Sequence, residues 1–338
     1  MSRPLTILNT GMVTAVGLSA PAACAAIRAG ITNSTDTTFV GTDGERIVAH
    51  QVPFDRPWRG LTKLAKMAAR AVEEALADIP RGKWPRIPLI LCIAEADRPG
   101  RLGGLDEALF HQVVGEIGVD FAANSAIVPH GRPSVGRALA HARNLLSDGS
   151  VPYVVIAAAD SYVTGETLLE YDRRGRLLSA ENSNGFIPGE GAAALLVHTG
   201  GEGLQLQCAG VGFGTELAHI ESEQPLRAAG LVQAVRGALD DAGYAMGDLD
   251  FRITDISGEH YYFKEASHAL SRLLKTRKKE FDIWHPAQCI GETGAVAGLA
   301  SIAVIKAACQ KDYAPGPNVL LHAGNDSGER TAVILRFA

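Results

Sequence analysis

Apolar residues along this chain switch between two patterns. Strand-like runs, several of them continuously apolar, occur at Leu5–Leu8, Ile87–Ala94, Tyr153–Ala159, Ala192–Val197, Leu204–Phe213, Ile253–Ser257, Val319–Ala323 and Thr331–Phe337. Such runs read as strands covered on both faces. Between them, apolar positions recur at helical spacing over Ala20–Ala29, Leu64–Ala77, Pro133–Leu146, Leu226–Ala242, Glu265–Lys275 and Gly294–Cys309. The alternation predicts an α/β chain with layers of helix and sheet. Two segments break it. Residues 171–191, YDRRGRLLSAENSNGFIPGEG, are polar and Gly-rich and predict an inserted hairpin or loop. Thr199–Gly203 (TGGEG) predicts a linker between two halves, residues 1–199 and 203–338.

The halves share a pattern. Ala71, Val72, Ala75, Leu76 and Asp78 recur as Ala234, Val235, Ala238, Leu239 and Asp241, 163 positions on. Further along, SVGRA (134–138) faces VAGLA (296–300), PYVVIAAADS (152–161) faces PNVLLHAGNDS (317–327), and GEGAAALLV (189–197) faces GERTAVILR (328–336). A repeat this long is a duplicated half-domain rather than a solenoid unit. Four matched segments in the same order carry the inference, since one Ala-rich helix can match another by chance. A cleft between similar halves is the first place to look for a site.

Composition narrows the function classes. The 338 residues suffice for two half-domains sharing one layered core. A net charge of −5 offers no basic face for nucleic acid. No apolar run reaches the ~18 residues that span a bilayer. The start, MSRPLTILNTGMV, reads as a strand and not as a secretion signal. Five cysteines without a CxxC spacing point to reduced thiols and a cytoplasmic setting. The basic run Lys275–Lys279 reads as a solvated helix end or as a patch for an acidic carrier protein.

Four segments could hold chemistry. The turn Asn124–Gly136 (NSAIVPHGRPSVG) enters a predicted buried helix, where backbone N–H groups and the helix dipole favour a nucleophile or an oxyanion. His130 and Gly131 stand in it, with no GxSxG elbow around Ser125. At the end of a predicted strand, Asp255–His260 (DISGEH) carries Glu259 and His260. Adjacent residues on extended chain point oppositely, so one of the two faces a given cleft. In HPAQCIGETGAVAG (285–298), Glu292 precedes a helix, which it either caps or serves as a functional carboxylate. The loop His322–Arg330 (HAGNDSGER) offers Asn325, Asp326 and Ser327 to a ligand or to an Asx turn. No metal-ligand spacing such as HExxH is present, and neither a metal nor a cofactor is expected.

These segments carry a resemblance. ILNTGMVTAVGLSAPAACAAIRAGIT at the start and GFIPGEGAAALLV at 185–197 resemble β-ketoacyl-acyl-carrier-protein synthases. VGRALAHARNLLSDGSVPYVVIAAADS resembles the helix and strand after that family's nucleophile, and GETGAVAGLASIAVIKA the segment around its second active-site histidine. The resemblance implies a thiolase-like fold with duplicated halves, five α/β/α/β/α layers and a dimer. It also implies a substrate cleft, to which Gly131, Asn325, Asp326, Ser327 and Phe186 would contribute.

The family works with a Cys nucleophile and two His. Here a gapless match through Gly131 and Gly136 puts Ile127 in the Cys position, Glu259 in the first His position with His260 one place on, and Glu292 in the second. Residues 122–136 contain no Cys in any register. Losing a nucleophile costs on the order of a millionfold in rate, so standard decarboxylative condensation is not expected. One reading is a chain-length-factor-like or acyl-binding subunit of fatty-acid or polyketide-type metabolism. Its partner would be an active ketosynthase, or a second copy, with an acyl carrier protein or acyl-CoA as ligand. The alternative is an acyltransferase or thioester-processing enzyme in which Glu259 and Glu292, side by side, form an acid–base pair assisted by His260 and His130.

Overall fold

A computed structural model describes residues 3–200 and 203–338, so residues 201 and 202 of the expected linker lie outside the described residues. In chain order the first half contains β1 (Leu5–Val13), α1 (Ala20–Arg28), β2 (Ser34–Val40), β3 (Arg46–His50), α2 (Gly60–Ala75), β4 (Leu89–Cys92), α3 (Ala108–Ile117), β5 (Ala126–Val128), α4 (Ser134–Leu146), β6 (Val154–Ser161), α5 (Gly165–Arg173) and β7 (Glu190–His198). The second contains β8 (Leu206–Thr215), α6 (Ala229–Ala242), β9 (Phe251–Thr254), α7 (His260–Leu273), β10 (Ile283–Trp284), α8 (Ala287–Ile290), α9 (Val296–Gln310), β11 (Asn318–Gly324) and β12 (Glu329–Phe337).

Ten strands form one mixed sheet in the order β10-β9-β11-β12-β8-β1-β7-β6-β4-β5. Its two sides mirror each other. From β1 outward the pairings are antiparallel to β7, antiparallel to β6, parallel to β4 and parallel to β5. From β8 outward the same sequence runs through β12, β11, β9 and β10. Leu5–Ile7 and Leu206–Cys208 pair antiparallel and join the sides. The four repeated segments thus occupy equivalent places: α2 with α6, α4 with α9, β6 with β11, and β7 with β12.

Alternation along the strands builds the layers, because successive side chains point to opposite faces. Ile90 and Cys92 of β4 join a central core with α4 and α9, while Leu89 and Leu91 join an outer core with α2 and α3. On the other side, Leu321 and Val333 face the central core and Leu320 and Ala332 face α6. The result is five layers, α/β/α/β/α. Pattern and place agree in the helices. α2 buries one stripe, Leu64, Met67, Ala68, Ala71, Val72 and Ala75. By contrast, α9 is buried nearly all round, from Val296 to Ala308, because it lies between the two sides of the sheet. It crosses α4 closely at Gly298, where a Cβ would stand 2.5 Å from Val135 Cγ1.

The apolar pattern does not reveal the β2–β3 hairpin, α3, α5, α8 and the edge strands β5 and β10; the hairpin is polar, and α8, β5 and β10 are four residues long or less. Most of the 171–191 segment is irregular. α5 ends at Arg173, and a bridge between Leu177 and Phe186 closes the loop before β7. No helix among the described residues is long and apolar enough to cross a membrane.

Candidate functional site

The turn between β5 and α4 converges with the β9–α7 junction, the Glu292 segment and the β11–β12 loop. Gly131 makes the turn at φ +60, against the buried Glu95–Arg98 pair. Arg132 follows, directly before the first turn of α4, and is 3% exposed. Its Nη1 donates to Glu292 Oε2 at 3.1 Å and its Nη2 to Asp326 Oδ1 at 2.7 Å and to the Tyr262 hydroxyl at 2.6 Å. Its Nε lies 3.6 Å from Asp255 Oδ2. A cation at a helix N-terminus opposes the dipole, and this ring of carboxylates offsets it.

A second arginine enters from the loop. Arg176 binds both oxygens of Glu259 at 2.7 Å, from Nε and Nη2, and also pairs with Asp326. Asp326 therefore bridges Arg132 and Arg176, and it accepts from the Tyr171 hydroxyl at 3.3 Å as well. Nearby, Arg330 Nε donates to Glu265 at 2.8 Å. Below the turn, Arg98 binds Glu95 and Asp160, each at 2.6 Å.

Around Arg132, Arg176 and Arg330 stand Asp255, Glu259, Glu265, Glu292 and Asp326, so carboxyls outnumber guanidiniums five to three. The imbalance shows in their acidities. Burial pushes Glu292 upward despite Arg132, and Asp255 likewise. It also raises Glu265 against the pull of Arg330. For Asp326, burial works in the same direction, but Arg132 and Arg176 together outweigh it and hold the group below the ordinary carboxylate range. Asp326 is thus the ionised hub, and Glu292 sits closer to its neutral form. Beside the network, burial lowers His322 to about 3, with Arg252 and Arg330 adding to the effect, so its imidazole is neutral.

The expected site residues fall into distinct places. Glu259 and Glu292 are both within this network, 4% and 2% exposed, each held by its own arginine instead of by the other. Glu292 does not cap α9 in the usual manner. Its Oε1 accepts from Gly294 N at 2.9 Å, while Oε2 accepts from the Ser257 hydroxyl at 2.8 Å. His260 begins α7 on the exposed side, with its backbone N–H bound by Asn184 Oδ1 at 2.8 Å. His130 is half-buried, its Nδ1 2.8 Å from Glu329 Oε2. Asn325 closes the β11–β12 loop, its Oδ1 accepting from Glu329 N at 2.8 Å and from the Ser327 hydroxyl at 3.1 Å, and Ser327 is exposed. Phe186 is buried against Tyr162 and Tyr171, ring centroids 5.5 and 5.2 Å away, below the loop.

Ile127 is not where the sequence match put it. It is a strand residue of β5 paired with Leu91, packed beside Phe110 and Phe121. Matching glycines counts residues, but it does not locate the start of a helix. Arg132 lies in the turn Asn124–Gly136 just ahead of α4, two residues after His130 and two before Ser134. Arg176 stands in the polar 171–191 loop, and neither arginine has a sequence pattern that marks it as a site residue. Cys92 Sγ comes within 4.0 Å of Ser134 O, but it is fully buried, and burial pushes its thiol up. Nothing at this turn is a thiolate. Among the described residues no group of three or more His, Cys, Asp or Glu could hold a metal ion.

No protein-family model matches the chain, and no curated protein matches its sequence. Solved structures do match its shape. The ishigamide ketosynthase/chain length factor superposes with a TM-score of 0.80 at 16% identity over 100% of both chains. The fold is that of the ketosynthases. AntDE:AntF, a type II PKS acyl-carrier protein in complex with its ketosynthase, gives 0.82 at 14% identity, again over 100% of both chains. The ketosynthase ApeO in complex with its chain length factor ApeC, from Xenorhabdus doucetiae, gives 0.79 at 14% over 99% of this chain and 98% of that one. On this ketosynthase-like scaffold, the turn into α4 carries a guanidinium fixed between carboxylates.

Proposed function

We propose that this chain is a non-condensing ketosynthase-like subunit, a chain-length-factor-like or acyl-binding partner in fatty-acid or polyketide-type metabolism. Arg132 carries the reading. A guanidinium stays protonated and cannot attack a thioester, and this one is bound to Glu292, Asp326 and Tyr262. Ion pairs of this kind hold residues 1–199 and 203–338, which we take as the two halves, against each other. Similarity to a ketosynthase solved with its chain length factor supports the same role.

The outer edge of β5 suits the partner. It ends the sheet, Ala126 and Ile127 are half-buried, and Phe110 and Phe121 line a groove of about 480 Å³ beside it. Unpaired strand edges recruit further chains. An active ketosynthase, or a second copy of this chain, would dock there, and an acyl carrier protein would deliver to the pair.

Two measurements test the proposal. Incubated with acyl and malonyl thioesters, the chain acquires no covalent acyl group by intact-mass analysis, and co-expressed with a ketosynthase it elutes as a heterodimer. Stable self-acylation, or a chain that stays monomeric with every ketosynthase supplied, overturns it. The second reading, thioester processing by Glu292, draws on that carboxyl's raised pKa, pushed up by burial, and its Ser257 contact. Turnover abolished in Glu292→Gln but intact in Glu265→Gln would favour it.

A further inference from the structure

At the end of the sheet opposite β5, a cavity of about 390 Å³ lies between the C-terminus of α1, the edge strand β10 and α8. That volume suits a ligand of one ring with a short arm. Trp284 and Tyr313 form its aromatic side. Their rings are inclined by only 21°, with centroids 6.4 Å apart, and Phe251 backs Trp284 at 4.7 Å. Val304 and Cys289 close the floor, both buried.

The charge on the rim decides what fits. Arg28 is exposed, and its Cζ rests 4.1 Å from the centroid of Tyr313. Among the described residues it makes no ion pair, so its N–H groups are open to a ligand. No carboxylate lines the cavity. Burial lowers His285, so its ring is neutral and adds hydrogen bonding without a second charge. The Gln288 amide stands beside His285 Nε2 and adds another polar contact. Aromatic walls alone would also suit a cation, but a cation would meet Arg28 at the entrance. A planar carboxylate would stack on the rings and pair with the guanidinium fork, the geometry arginine favours.

The geometry points to a binding site for a small aromatic or conjugated monocarboxylate, separate from the Arg132 network and independent of pairing with a ketosynthase. The site holds the anion and performs no step on it.

Titration calorimetry on the full chain with trans-cinnamate tests this. Saturable 1:1 binding in the sub-millimolar range is expected. Cinnamamide, equal in shape but uncharged, should bind about tenfold more weakly or worse. Arg28→Gln, at an exposed position, should lose cinnamate to the same degree, while Lys279→Gln, on the exposed basic run, should not. No saturable binding, equal affinity for the amide, or unchanged affinity in Arg28→Gln overturns the site.

Discussion

Arg132 Nη2 and Asp326 Oδ1 stand 2.7 Å apart, and this contact ties the turn before α4 to the β11–β12 loop. Arg176 reaches the same carboxylate from the loop before β7. A single acid therefore fastens three segments far apart in sequence.

Removing its partner should be expensive. Arg132→Met leaves Asp326 and Glu292 with a lost cation in a buried place. Breaking a buried pair from one side costs about 3–5 kcal/mol. Urea denaturation should show that loss for Arg132→Met, with Arg132→Met/Asp326→Leu recovering part of it. A double variant as unstable as the sum of the singles would show that the pair is not coupled.

Asp326 and Glu292 should respond differently to amidation. Glu292 is pushed towards its neutral form, which Gln imitates, so Glu292→Gln should move the urea midpoint little. Asp326 is held ionised between two arginines, so Asp326→Asn should cost about 2–4 kcal/mol by the loss of charge-assisted bonds. Equal losses for the two would contradict the assignment of Asp326 as hub.

The turn at Gly131 should not accept a side chain. Its φ is +60, and a Cβ there would fall 2.0 Å from Glu95 Oε2, inside the Arg98 pair. Gly131→Ala should therefore destabilise the chain by more than the ~1 kcal/mol that a left-handed alanine costs alone. A thermal scan of the variant against Gly149→Ala, also left-handed at φ +73 but with open space at its Cβ, separates strain from crowding.

Alkaline pH should weaken the fold. Burial raises Cys24 and Cys208 to about 12 and Cys309 to about 11. Above about pH 9 the unfolded chain releases these protons while the folded chain keeps them, so stability falls as pH rises. Lys306 works in the other direction. Burial lowers it to about 8 from an ordinary 10.5, so across that window the folded chain is the one that has lost a proton, and stability rises. Three thiols outnumber one amine, and the net slope is downward. Lys306→Met should abolish the rise between about pH 8 and 9 and steepen the decline from about pH 9 to 10.5 in urea titrations. An unchanged slope would mean that Lys306 titrates alike in both states.

The sequence by itself determined the architecture. Strand and helix alternation, the repeat spaced by about 163 residues and the mostly apolar stretch after Gly294 follow from burial, and burial leaves periodic marks in a chain. It also determined that the turn before α4 has no cysteine, because absence of a residue type needs no coordinates. The tertiary structure alone decided what occupies that place. Arg132, Arg176, Asp326 and Tyr262 are scattered along the chain, and none repeats with a helical or strand period. Their pairing depends on the turn, the loop and the β11–β12 corner meeting at one point. Likewise, Glu259 and Glu292 could be matched to histidine positions from the sequence, but only the fold shows each carboxylate held by its own arginine. Charges act over ångströms in space, and spacing in sequence does not record that distance.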